Sequence, residues 1–429
     1  MKKKVMSLVL ATSMAVSILS GCGSTAATGS SGSTGSTAVA STAGNTAAGS
    51  TAAGSTAAGS TAAGSTAAGS TATSGSGYTI GVNCFGSSSY ALLTLSNNSK
   101  KVFSVYGDKT TVSDDNYQVD KIVQDIENMI AKGVNGLCIW LPADSLYEQV
   151  AKTCEENKVP FVLVDKIPTD PKIAKEIKSN PYFVGAVSPA NDVYGDQIAK
   201  YALKQGFKSC IISSSSVGDP SDTPRLEAFE KTFKAAGGTI ADELHADAAD
   251  AAQGQIEDSL VAHPDVDFIY GVGSDFGEAA CSVLKNQGNT KIKVMTSGLD
   301  SQAVDYLSNG QLELLSGDNW ESGILAAVML ENYLDGKPLK DANGNVPYIT
   351  DIQPFTLTSK QCTLFKKVFI SNFCYTNDEL KNMRTKNNPN FNYDAFIAAS
   401  KSFSFEERAK ALSSAGVVTK DELSAAGLN

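Results

Sequence analysis

The chain has 429 residues, of which 42% are apolar and 8% aromatic, and its 45 acidic against 35 basic residues leave a net charge of −10. That balance argues against nucleic acid or an anionic lipid surface as a partner, and the length leaves room for two domains besides any non-globular segment. Eight cysteines without a C-x-x-C pair, two histidines and no G-x-x-x-x-G-K-[ST], G-x-S-x-G or H-E-x-x-H motif give no support to a metal, redox, nucleotide-cleaving or hydrolytic centre.

At the N-terminus Lys2, Lys3 and Lys4 precede an apolar run over 5–19, too short for an ordinary membrane span and typical of an export signal. The run ends Leu19-Ser20-Gly21-Cys22, which resembles the lipobox of bacterial lipoproteins. The resemblance implies a signal peptide over 1–21, cleavage before Cys22 and acylation of its thiol, with two acyl chains for a stable anchor. Residues 23–77 carry no charge and repeat Thr-Ala-Ala-Gly every five residues from Thr46 to Gly69. With almost nothing apolar to bury, this segment is expected to be a disordered linker, reaching roughly 40 Å by flexible-chain scaling.

The folded part is expected to begin at Tyr78. A short strand at 78–83 leads through a Ser-rich turn into a helix ending near Tyr106, stopped by Gly107. Residues 109–113 read as a second strand, with Asp114 or Asp115 as N-cap of a helix over 117–132 closed by Gly133. Next comes the clearest unit: apolar runs at 136–140 and 161–164 flank a helix at 146–157, where Leu146, Val150, Ala151 and Cys154 recur at helical spacing. Buried runs of about five residues around an amphipathic helix read as βαβ in a parallel sheet, with ligand expected outside the carboxyl ends of the strands, beside Asp165. Strands at 182–187, 210–213, 268–271, 293–296 and 312–316 alternate with helices near 193–203, 225–236, from Phe276, to Asn309 and at 322–334. Such alternation means α/β with parallel sheets. Several cysteines lie inside apolar runs; Cys362 and Cys374 are the one close pair, and the odd total after Cys22 looks more like reduced, buried thiols.

The order of landmarks is similar to the periplasmic sugar-binding proteins of ABC transporters, the ribose- and galactose-binding type. It rests on Ile80-Gly81-Val82, a helix with Gln124, Ile126 and Ile130 before Gly133-Val134, Pro160 to Asp165, Arg225 ahead of Phe229, His263-Pro264-Asp265-Val266-Asp267 and Ser297-Gly298-Leu299-Asp300. The resemblance implies two Rossmann-like lobes joined by three crossing segments, with ligand in the cleft and closure by hinge motion. Carried over, the first lobe is 78–181 with 317–345, the second is 182–316 with 346–362, and 363–429 is a helical extension expected to pack across the lobes or near the hinge. It implies a monomeric, non-enzymatic solute receptor without cofactor. This receptor is held on the outer face of a Gram-positive cell membrane by lipid alone and delivers a monosaccharide to an ABC permease. The alternative within the same fold is a sensor signalling to a membrane histidine kinase or chemoreceptor.

Sugar hydroxyls call for bidentate polar groups and the ring's C–H faces for aromatic walls. The resemblance therefore points to Asp165 and to its second-lobe counterpart Asp300, to Arg225 at a helix start, and to Asp275 with Ser274 where the family often has Asn. Lys166 stands where ribose binders commonly have Arg, and lysine lacks the planar fork, so a simple ribose assignment does not follow. Asn319, with Asp318, falls near the family's last-crossing Gln. Phe85 and Tyr90 bracket the first turn, and Trp140 and Trp320 end strands, so these four are the aromatic candidates. His245 and His263 look structural.

Overall fold

The computed structural model describes residues 77–246, 248–317 and 321–428. Cys22, the leader and the linker lie outside them, as do Asp318, Asn319 and Trp320. Strand and helix alternate as β1 (Thr79–Cys84), α1 (Tyr90–Tyr106), β2 (Lys109–Asp114), α2 (Val119–Ala131), β3 (Gly136–Ile139), α3 (Asp144–Asn157), β4 (Phe161–Val164), α4 (Pro171–Ser179) and β5 (Phe183–Pro189). The next stretch is α5 (Asn191–Gln205), β6 (Ser209–Ser214), α6 (Asp222–Ala235), β7 (Thr239–His245), α7 (Ala249–Ala262), β8 (Phe268–Gly271), α8 (Ser274–Asn286), β9 (Lys293–Ser297), α9 (Ser301–Ser308) and β10 (Leu314–Gly317). Then follow α10 (Glu321–Leu334), β11 (Tyr348–Ile352) and β12 (Phe355–Leu357).

Two six-stranded sheets result, ordered β11-β5-β4-β3-β1-β2 and β12-β10-β9-β8-β6-β7. All pairings are parallel except β10 with β12. Helices cover both faces, so strand residues of either parity are buried: Leu137 with Cys138, Val162 with Leu163, Ile211 with Ile212. That double burial is why the strands read as continuous apolar runs rather than alternating ones.

The chain crosses between the sheets three times, after β5, after β10 and after β11. The lobe boundaries differ from the expected ones. β5 pairs with β4 and β11, so residues 183–189 belong to the first sheet rather than opening the second. The segment 346–362, expected to belong wholly to the second lobe, holds two strands in different sheets, β11 in the first and β12 in the second. Pro354, which has no N–H to donate, interrupts them where the chain crosses. α4 was not anticipated; Asp170 caps it by accepting from the Lys172 N–H at 2.7 Å, with Pro171 in the first turn.

Beyond β12 come α11 (Cys362–Phe365), running into a wider turn at Lys366–Ile370, then α12 (Asn377–Asn382), α13 (Tyr393–Ser402), α14 (Phe405–Ser414) and α15 (Lys420–Ala425). This extension packs on α9 of the second lobe and on α1 of the first. All seven cysteines among the described residues are free and buried, Cys362 and Cys374 included. Among the described residues no helix is long and apolar enough to cross a membrane.

Candidate functional site

The loops after β1, β3 and β4 meet those after β6, β8 and β9, so the carboxyl ends of the two sheets face one another across a cleft. The direct contact is Lys166, after β4, whose Nζ lies 2.6 Å from Asp219 Oδ2, after β6.

On the first-lobe wall the Phe85 ring stacks on Trp140 (centroids 5.1 Å apart, planes 24° apart) and meets the edge of Tyr117 at 5.5 Å. Asn83, buried at the end of β1, holds this wall in place. Its amide accepts from the Trp140 N–H at 2.8 Å and donates to the Trp140 carbonyl at 2.9 Å and to Asp115 Oδ2 at 3.0 Å. Asp115 is therefore not the N-cap expected for α2, and neither is Asp114, which accepts from the Ser87 hydroxyl. α2 starts after Gln118 without a side-chain cap. Burial pushes the Asp115 carboxyl up, and Asp125 beside it adds to the shift.

Asp165 follows β4 with φ of 67°, the left-handed region that costs a non-glycine residue free energy. The Lys166 N–H donates to the Val164 carbonyl at 2.7 Å and closes a tight γ-turn around it. The carboxylate is buried. Oδ2 accepts from Trp140 Nε1 at 3.3 Å, and Oδ1 has no hydrogen-bond partner. Burial pushes its carboxyl above the usual range, although Arg225 and Lys166 pull the other way. Asp170, not Asp165, caps the helix that follows, so Asp165 serves no capping role. Lys166 Nζ also sits 4.6 Å from the centre of the Trp140 ring.

Across the cleft Arg225 lies in the first turn of α6 and is buried. Its Nε donates to Asn191 Oδ1 at 2.9 Å, Nη1 lies 3.5 Å from Asp222 Oδ1, and the guanidinium stacks over Tyr194 at 4.3 Å. This is possible because α5 carries Gly195 at its contact with α6: a Cβ there would fall 1.8 Å from the Arg225 carbonyl oxygen. Asp219 accepts the backbone N–H groups of Ser221 and Asp222 as well as Lys166. Burial works against its ionisation, but these donors hold the carboxyl below its usual range.

Asp300 is buried and caps α9, accepting from the Ala303 N–H at 2.7 Å. Glu278 of α8 hydrogen-bonds to it, and burial together with the Asp300 charge pushes Glu278 up to about 9. Asp275, in the first turn of α8, is exposed. Tyr90, the first residue of α1, is raised by burial and also by Asp300, which places the two within electrostatic reach across the cleft.

Of the residues singled out from the sequence, Phe85, Trp140, Asp165, Lys166 and Arg225 lie in contact or within electrostatic reach of one another, and Tyr90 and Asp275 each lie within electrostatic reach of Asp300. Asn191, Tyr194, Asp219, Asp222 and Glu278 were missed. The Asp219-Pro220-Ser221-Asp222 turn, three residues ahead of Arg225, carried a signal, since Asp at i−3 faces Arg on a helix. Asn191 and Glu278 left none, because only the tertiary fold brings them to the cleft.

Residues 89–338 match the family model described as periplasmic binding protein domain. Solved structures with a similar fold include a glucose-galactose binding protein from Geobacillus stearothermophilus, 16% identical, covering 67% of this chain and 99% of its own, with a TM-score of 0.55. Another is an ABC transporter solute binding protein from Actinobacillus succinogenes with bound D-allose, 17% identical, covering 67% and 99%, with a TM-score of 0.59. A third is the binding protein of the arabinose ABC transporter from Shewanella sp. ANA-3, bound to L-arabinofuranose, 16% identical, covering 76% and 99%, with a TM-score of 0.58.

Proposed function

Because the chain belongs to the periplasmic binding protein domain family, we propose that it is the solute receptor of an ABC importer and captures a monosaccharide between its lobes. The observation that carries this reading is the pairing of opposed walls. A stacked Phe85–Trp140 pair stands beside Asp165 on one lobe, and Arg225 with Asp300 stands on the other. An aromatic face suits the C–H side of a sugar ring, while carboxylates and a guanidinium suit its hydroxyls. A ligand that bridges both walls selects the closed arrangement, because only then are both sets of polar groups satisfied. The named relatives bind hexoses or pentoses, which supports the same ligand class.

The receptor delivers its ligand to permease subunits and is held outside the cell by acylated Cys22, with residues 23–77 as tether. Fractionation of cells carrying Cys22→Ala should find the protein released into the medium; retention at the membrane would refute the anchor. The ligand assignment is tested by a thermal-shift screen of the full chain against monosaccharides, nucleosides and polyols. A ligand at about a hundred times its Kd stabilises the folded protein by about 2.7 kcal/mol, a readable shift. A response to nucleosides alone would keep the fold and discard the sugar.

A further inference from the structure

The three crossings converge on α5. This helix begins directly after the first crossing, at Asn191. The second crossing leaves β10 beyond Gly317, and the third passes through Gln353 and Pro354 between β11 and β12. One side-chain amide grips both. Gln197 Oε1 accepts from the Ser316 hydroxyl at 2.7 Å, and its Nε2 donates to the Pro354 carbonyl at 3.0 Å. Ser316 and Pro354 are buried, so water is poorly placed to replace either bond. One turn further on, the Tyr201 hydroxyl donates to Glu313 Oε1 at 3.1 Å, just ahead of β10. Residues i and i+4 on one face of α5 therefore hold β10 near both its ends.

A second tie lies on the first-lobe side of the third crossing. The Ala190 N–H donates to the Ile352 carbonyl at 2.9 Å, where Ile352 pairs with Pro189 at the edge of the first sheet. Between that carbonyl and the one held by Gln197 stands Gln353 alone, and it is exposed. Proline fixes φ at the next residue. In this crossing, rotation of one lobe against the other therefore falls chiefly on the Gln353 backbone. α5 carries that rotation to the cleft, because Asn191 and Tyr194 on it hold the Arg225 guanidinium.

We propose that Gln197 is a positioning residue for lobe closure. By tying Ser316 and Pro354 to α5, it makes the second and third crossings turn with the helix that holds Arg225. The second-lobe wall then meets Phe85, Trp140 and Asp165 in a single register. The inference rests on the solute-receptor reading and adds to it the residue that sets the pivot.

Double electron–electron resonance on the full chain carrying Cys22→Ala tests it, with spin labels on Lys152→Cys of α3 and Glu257→Cys of α7, both exposed. The native cysteines of the described residues are buried. Gln197→Met keeps the length of the side chain and removes both bonds, and it should broaden the interlobe distance distribution of the unliganded protein. Ser316→Ala should reproduce part of that broadening, and the two changes together should add less than their sum, since they share a bond. Distributions unchanged in both variants would overturn the proposal even if the variants melt lower, since lost stability alone would make Gln197 a packing residue. Should Gln197→Met fail to fold, Ser316→Ala decides the point by itself. Isothermal titration with D-glucose, D-galactose, D-allose and L-arabinose reads the consequence for binding. A sugar that binds should lose about fivefold in affinity in Gln197→Met, as the competent fraction falls by the scale of one hydrogen bond. Wild-type affinity beside a broadened distribution would overturn the role in closure. Binding of none of these sugars to the wild type would overturn the sugar reading, and the distance distributions would still decide the hinge.

Discussion

Asp165 combines three costs: a left-handed backbone, burial, and an unpartnered carboxylate oxygen. Two cations lie nearby, yet each is turned to a carboxylate on the other lobe, so desolvation wins and the Asp165 carboxyl is raised from its ordinary value of 3.8. A group that holds its proton more tightly when folded contributes stability that is full below 3.8 and is lost as pH rises through the folded value. Asp165→Asn keeps the shape and removes that loss. The unliganded variant should melt at the wild-type temperature or about 2 °C above it at pH 7, and its stability should vary less with pH. Ligand affinity should fall by about a hundredfold, the scale of a lost charged hydrogen bond. Calorimetry of the apo protein at two pH values, with titration of the ligand, separates the two effects. A variant that melts well below wild type would make Asp165 a structural residue.

At the scale of elements, the contact of α5 with α6 shows how packing places the Arg225 side chain. Alanine is normally the better helix former, by about 1 kcal/mol over glycine. At Gly195 its Cβ would meet a backbone carbonyl at 1.8 Å, which no rotamer change relieves, and overpacking of that kind costs about 3 kcal/mol. The second effect is larger, so Gly195→Ala should destabilise in urea unfolding. By moving α6 away from Asn191 and Tyr194 it should also weaken ligand binding. A stabilised variant would show that propensity, not close approach, governs this position. The same contrast between local and non-local information marks what was legible beforehand. β3, α3 and β4 could be read directly because burial on both faces writes apolar runs and a 3.6-residue period into neighbouring residues. The sheet to which β5 and β11 belong could not, since that depends on edge pairing between segments more than 150 residues apart in sequence, Val187 with Ile349 for instance. The positions of Asp165 after a strand and of Arg225 near a helix start could be read beforehand. Asp219 and Glu278 act through partners on other elements, and no local period marks such pairs. α4 was hidden by its shortness, although Asp170-Pro171 is a capped start.

Across the whole molecule the extension joins what the three crossings leave free to move. Lys366 pairs with Asp305 of α9 in the second lobe. In the first lobe, the Arg384 guanidinium reaches Asp335 Oδ1 at 2.8 Å and the Tyr106 carbonyl at 3.2 Å. Between them the Tyr375 hydroxyl donates to Glu321 at 2.9 Å, the residue that opens α10 after the second crossing. A brace with feet on both lobes makes their unfolding one event, so hydrogen exchange should find β3 and β8 opening with the same free energy. Arg384→Ala tests the brace at its first-lobe foot. Burial and the neighbouring Asp108 push Glu331 up, so loss of the cation falls mainly on Asp335, which Arg384 holds below the usual carboxylate range against burial. Removing one partner of a buried ion pair costs about 3 kcal/mol or more at neutral pH. Because the Asp335 carboxyl is depressed in the folded protein, that contribution is present above its ordinary 3.8 and fades as pH falls, and the deficit of the variant should shrink with it. If the extension couples the lobes, protection in β8 drops together with that in β3, although Arg384 touches only the first lobe. Loss confined to β3 would mean that each lobe stands alone and that the extension merely covers them.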